Sequence, residues 1–106
     1  MSCRIMRLIV FFDLPMTTNK DLAEYRNFRR FLLKNGFIML QESVYSRLVL
    51  NNNSSALLKK QIYKNLPNEG LIQMLQITEK QFASIEYLRG KSNSNVIDSN
   101  ERIIML

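Results

Sequence analysis

The order of hydrophobic patterns along this chain predicts an α+β domain with the ferredoxin-like βαββαβ arrangement. Three observations carry that expectation. An almost unbroken apolar run at residues 8–12 reads as a strand covered on both faces. A stripe at steps of three and four over 20–34 reads as an amphipathic helix. Two β-branched and aromatic runs, 37–41 and 44–50, flank a short polar stretch and read as a hairpin. With 106 residues the chain is the size of one domain, large enough for a core without disulfide or metal staples.

The first strand is expected over 6–12, with Asp13 at its end and Pro15 stopping it. Thr18 and Asp21 have capping-box spacing ahead of the first helix, and Gly36 stands where a helix-terminating glycine belongs. Leu22, Tyr25, Phe28 and Leu32 form the stripe expected to be buried. Arg26, Arg30 and Lys34 recur at steps of four on a different face, and Arg29 falls between the two sets. In the hairpin, Gln41, Glu42 and Ser43 mark the bend, and three asparagines at 51–53 end the second strand. A second helix is expected over 54–65 with Leu58, Ile62 and Leu66 on its apolar edge, closed by residues 67–70. A fourth strand follows over 71–77. Thr78 and Gln81 have capping-box spacing for a short helical turn. Residues 85–88 read as a short fifth strand, 91–100 as a polar loop, and 102–106 as an apolar strand at a sheet edge. The division is thus a ferredoxin-like domain over 1–90 and a C-terminal loop and short strand over 91–106 at a dimer or partner edge.

In this arrangement both helices cover one sheet face. The strands carry apolar residues on both sides, and no third long helix is available. The expected cover for the second face is a second copy of the same sheet, giving a twofold homodimer with its sheets packed face to face.

Composition narrows the chemistry. The chain has no histidine, which excludes imidazole-based triads and histidine-dependent ribonuclease chemistry. Its lone cysteine, Cys3, can form neither an intrachain disulfide nor a zinc site by itself. It reads as a small apolar residue of a protein kept in a reducing cytoplasm. The apolar run near the start is too short to span a membrane. A net charge of +6 favours phosphate polymers or an acidic partner.

Two features are candidates for function. Asp13 follows five apolar residues at a strand end. It either caps the turn before Pro15 or ligates a metal, and two such carboxylates meeting across a twofold axis would suit Mg2+. Arg26, Arg30 and Lys34 span about 12 Å of helix at 1.5 Å per residue. They form either a solvated face or a row of phosphate contacts. Lys59, Lys60 and Lys64 on the second helix read as solvated. No RNP-type aromatic signature, glycine-rich phosphate loop or zinc spacing is present.

Several motifs, in order and over nearly the whole chain, resemble the Cas-two family of small CRISPR-associated adaptation proteins, in particular its type II branch. They are F-F-D-L-P at 11–15, Y-R-N-F-R-R-F-L-L-K-N-G-F at 25–37, L-Q-E-S-V-Y at 40–45, T-E-K-Q-F at 78–82, Y-L-R-G at 87–90 and E-R-I-I-M-L at 101–106. The resemblance implies a ferredoxin-like homodimer in which Asp13 of both subunits faces a shared Mg2+ as metal ligand and catalytic residue. It implies metal-dependent endoribonuclease activity, with duplex DNA as a second substrate in some members. It also implies a scaffold role beside the Cas-one integrase in spacer acquisition, the basic surface holding prespacer DNA. Tyr45 falls in a motif near the implied site. Lys20 is the basic residue that follows Asp13 most closely, and joins Arg26, Arg30 and Lys34 as a nucleic-acid-binding candidate. Three functions are in play: an integration scaffold, a free nuclease cutting RNA or duplex DNA, and a non-catalytic ligand-sensing dimer. The third would need a pocket of small polar residues that the sequence does not display.

Overall fold

A computed structural model describes residues 5–91. Its elements are β1 (Met6–Asp13), α1 (Asn19–Lys34), β2 (Ile38–Gln41), β3 (Val44–Val49), α2 (Asn52–Lys64), β4 (Leu71–Thr78) and α3 (Glu79–Ala83). The strands form one antiparallel sheet in the order β2-β3-β1-β4, the ferredoxin-like topology that the sequence predicts.

β1 is central, which accounts for its continuous apolar run. Leu8, Val10 and Phe12 face the helices and join Phe28 and Leu32 of α1, Leu58 and Ile62 of α2, and Tyr45 and Val49 of β3 in the core. Phe12 is the hub of that core. Its ring meets Phe28 at 5.2 Å and Tyr25 at 5.9 Å edge-on, and stacks with Tyr45 at 5.7 Å.

Register assigns the second face. Ile9 lies opposite Ser46 and Leu75, Phe11 opposite Val44 and Gln73, Arg7 opposite Leu48 and Ile77, and Asp13 opposite Leu71. Ile9 and Ser46 at its centre are buried, whereas Leu48, Leu71 and Leu75 are 44%, 57% and 49% exposed. Ser46 leaves its hydroxyl without a hydrogen-bond partner. At one end of this face Arg7 forms a two-pronged hydrogen bond to Glu79, at 3.0 and 3.1 Å, and its guanidinium lies 4.2 Å from the Phe82 ring centre. That clamp ties α3 to β1.

The capping box before α1 forms as read: Asp21 N–H donates to Thr18 Oγ1, and the Asp21 carboxylate accepts from the Thr18 N–H. This backbone donor holds the Asp21 carboxyl below its ordinary value. The box before α3, between Thr78 and Gln81, also forms. The hairpin turns through Glu42 and Ser43, with Ser43 at φ 66° and a bulge between Met39 and Gln41.

Three local expectations are corrected. α2 starts at Asn52, not residue 54, because Asn51 is its N-cap: the Asn51 side chain accepts from Ser54 N–H at 2.8 Å. Leu66 is not on the buried edge but 39% exposed, since the helix ends at Lys64 and the chain turns away. Residues 85–88 form no strand. They follow the α3 cap, where Ile85 N–H bonds to Phe82 O, and they pair with no strand of the described sheet. Leu88 is accordingly 92% exposed. Cys3, residues 92–100 of the expected loop and the expected strand at 102–106 lie outside the described residues.

Candidate functional site

Asp13 is the last residue of β1 and is exposed. Alternation along the strand puts it on the second face with Ile9 and Phe11, away from the helices. Its backbone is pinned by residues 67–70. Gly70 adopts φ +103°, and a Cβ there would stand 2.8 Å from the Asp13 carbonyl oxygen and 2.6 Å from Leu14 Cδ2. Only glycine fits this approach. The same loop is tied to α1: the Glu24 carboxylate accepts from Asn68 N–H at 3.0 Å and from Asn68 Nδ2 at 2.9 Å. Glu24, Asn68 and Gly70 thus fix the strand end that presents Asp13. Gly70→Ala is expected to cost at least about 1 kcal/mol from the left-handed backbone alone. That lowers the melting temperature by roughly 4–8 °C per kcal/mol in a domain of this size, as thermal unfolding followed by circular dichroism would read.

The donor set tests whether a metal fits. Among the described residues no three His, Cys, Asp or Glu side chains converge on one point. Asp13 therefore belongs to no cluster of three such side chains among the described residues of one chain. Mg2+ commonly takes one or two carboxylates and completes its shell with water and substrate oxygens, so the donor chemistry of Asp13, a hard carboxylate oxygen, is of the kind it takes.

Tyr45 does not share the Asp13 face. It is a core residue, 1% exposed, on the helix side of β3. Burial pushes its phenol up from the ordinary value, against the opposing pull of the Arg29 guanidinium beside it. The phenol is therefore neutral near pH 7, and no phenolate is available there.

The basic candidates occupy the other side of the molecule. Arg26, Arg30 and Lys34 are exposed on α1, turned away from the sheet. Arg30 is steadied by a 3.1 Å hydrogen bond to Asn27 Oδ1. The helical layer and the sheet therefore separate this row from Asp13 of the same chain. Lys20 borders a small cavity with Asp21, Glu24 and Glu69, so its charge faces carboxylates as well as solvent. Sequence reasoning misses the role of Arg29, the Glu24–Asn68 tie and Arg47. For Arg47 a signal exists: it stands between Tyr45 and Val49 at an inward-facing position of β3.

The family model described as CRISPR associated protein Cas2 matches residues 6–85. The chain is 48% identical to the CRISPR-associated endoribonuclease Cas2 of Treponema denticola, over 95% of this chain and all of that relative. It is 44% identical to the protein of the same name from Streptococcus mutans, over 95% of this chain and 93% of the relative. With that of Ligilactobacillus salivarius the identity is 45%, over 95% of this chain and all of the relative.

Proposed function

Because the chain belongs to the CRISPR-associated protein Cas2 family, we propose that it is a nucleic-acid-binding homodimer of CRISPR adaptation, which holds duplex DNA beside the Cas-one integrase and cleaves RNA conditionally as a Mg2+-dependent endoribonuclease. The observation that carries the scaffold reading is the separation of the basic row from Asp13. The row Arg26, Arg30 and Lys34 lies on the outer side of the helical layer, and Asp13 on the opposite sheet face. A duplex lying along α1 is held by its phosphates without being presented to the carboxylate of the same chain. Guanidinium groups suit this task because they match phosphate oxygens two at a time.

The endoribonuclease reading rests on the names of the relatives and on Asp13. If two copies pack through their second faces with the twofold axis near the end of β1, their Asp13 side chains would face one another. Bound Mg2+ supplies Lewis acidity toward a phosphodiester oxygen. The Asp13 side-chain oxygens of the two copies would hold the cation, since hard oxygen ligands suit Mg2+. With no imidazole in the chain, the proton lost by the attacking water as the phosphodiester P–O bond breaks would pass through solvent to the departing oxygen. Such a sparse site suits a slow or regulated nuclease.

Binding is tested by the salt dependence of duplex affinity. Arg26→Ala with Arg30→Ala is expected to flatten the plot of log affinity against log salt by about 1.8, or 0.9 for each phosphate that the protein no longer neutralises. A slope equal to wild type would return the row to solvent. Cleavage is tested with labelled single-stranded RNA and duplex DNA, with Mg2+ and with chelator. Activity that survives chelation would overturn the metal-dependent reading.

A further inference from the structure

Arg47 is an anomaly of the helix side of the sheet. Its strand neighbours on that face, Tyr45 and Val49, are core residues, yet it carries a full charge. The guanidinium is held in place rather than free: Nη1 donates to the Asn35 carbonyl at 2.9 Å, and Nε lies 3.4 Å from where a Gly36 Cβ would stand. No carboxylate lies within ion-pair distance of it among the described residues, whose one ion pair is Arg7–Glu79. Arg47 also lines a cavity of about 250 Å3 between the end of α1 and α2, together with Asn35, Ser54, Leu57, Leu58 and Gln61. Ser54 and Gln61 line it with a hydroxyl and an amide that make no side-chain hydrogen bond to another described residue.

Three other cavities among the described residues are different. One between α1 and residues 65–68 contains Glu24. A second contains Asp21, Glu24 and Glu69. A third, between α2 and β4, is lined by Ile62, Tyr63, Leu66, Ile72 and Met74 and has no charge. The Arg47 cavity combines a fixed cation, two neutral donors and no acid, which is the chemistry of a phosphate site. Its place matters equally. The row Arg26, Arg30, Lys34 ends one residue before the carbonyl that Arg47 grips.

We propose that this cavity seats one backbone phosphate of bound duplex DNA, with Arg47 as its cation and Ser54 and Gln61 as its neutral donors, extending the α1 row to four cations. The inference rests on the duplex-binding reading above and names one phosphate site within it. Three variants that each lower the net charge by one separate the site from the general field: Arg47→Gln, Gln61→Glu and, as control, Lys80→Gln on α3. Gln61 is an exposed helix residue, so Gln61→Glu keeps the fold even if Arg47→Gln weakens the end of α1.

Duplex affinity is measured by fluorescence anisotropy from 50 to 200 mM salt. Arg47→Gln is expected to weaken binding several-fold and to flatten the salt slope by about 0.9, and Gln61→Glu to do comparably, with Lys80→Gln at the wild-type slope. Three equal slopes would overturn the site. A second arm follows the Arg47 Nε resonance by NMR while DNA or inorganic phosphate is added. A shift with DNA supports the proposal. A shift with inorganic phosphate alone identifies a small-anion site and overturns it. Wild-type protein that fails to bind duplex at all overturns the broader reading together with this one. A slope flattened by the Arg26 and Arg30 pair but by neither cavity variant overturns this one alone.

Discussion

Asp13→Asn is expected to reduce Mg2+-dependent cleavage of single-stranded RNA by roughly 100-fold or more, the scale of losing a positioned catalytic group. The melting temperature should move by no more than about 3 °C, because exposed substitutions rarely exceed ±0.5 kcal/mol. The side chain is exposed at the end of β1 and makes no hydrogen bond that the core needs, while Gly70 and Leu14 fix the backbone beneath it. Asparagine keeps shape and volume and removes only the charge.

A second readout of the same variant separates a metal ligand from a turn cap. Two carboxylates near a twofold axis repel unless a cation lies between them. Mg2+ should therefore tighten the wild-type dimer in sedimentation equilibrium and leave the Asp13→Asn dimer unchanged. Without Mg2+, the variant dimer should be at least as tight as wild type. Equal cleavage by the two proteins would remove Asp13 from catalysis. Equal response to Mg2+ would remove it from the metal site.

The sequence shows where Asp13 stands along the chain but not what stands opposite it. β1 is legible because a strand buried on both faces needs no alternation, and residues 8–12 have none. The capping boxes are legible because their partners lie three residues apart. Residues 85–88 mislead because Ile85, Tyr87 and Leu88 have strand composition, whereas a strand also needs a ladder partner, and composition does not show one.

The same limit applies to the site. Gly70 reads locally as the close of a turn. That it lies against the Asp13 carbonyl depends on the pairing of β1 with β4, 57 residues apart in sequence. The separation of the basic row from Asp13 follows from which sheet face α1 covers, and no spacing rule supplies that. Arg47 is legible in principle, as a cation at an inward position of an otherwise apolar strand face. Its partner, the Asn35 carbonyl, is a backbone group and leaves no mark on the sequence.

Leu75→Glu is expected to convert the protein from dimer to monomer in sedimentation velocity and to abolish cleavage with it. Leu75 lies beside Ile9 at the middle of the second face and is 49% exposed in the single chain. Leu48 and Leu71, across from Arg7 and Asp13, leave comparable apolar area uncovered. Completing the burial of a half-exposed leucine contributes roughly 1 kcal/mol, half of the full-burial range, and a twofold interface counts it twice. A glutamate in its place forfeits that gain and adds the cost of desolvating a charge on each side of the axis. The single chain should tolerate the change, since a half-exposed position on this face leaves the carboxylate access to water. Circular dichroism should therefore show the wild-type spectrum while sedimentation shows half the mass. A monomer that still cleaves at the wild-type rate would mean that one Asp13 suffices. A variant that remains dimeric would mean that another surface holds the two copies together, and the paired-carboxylate site would lose its geometric basis.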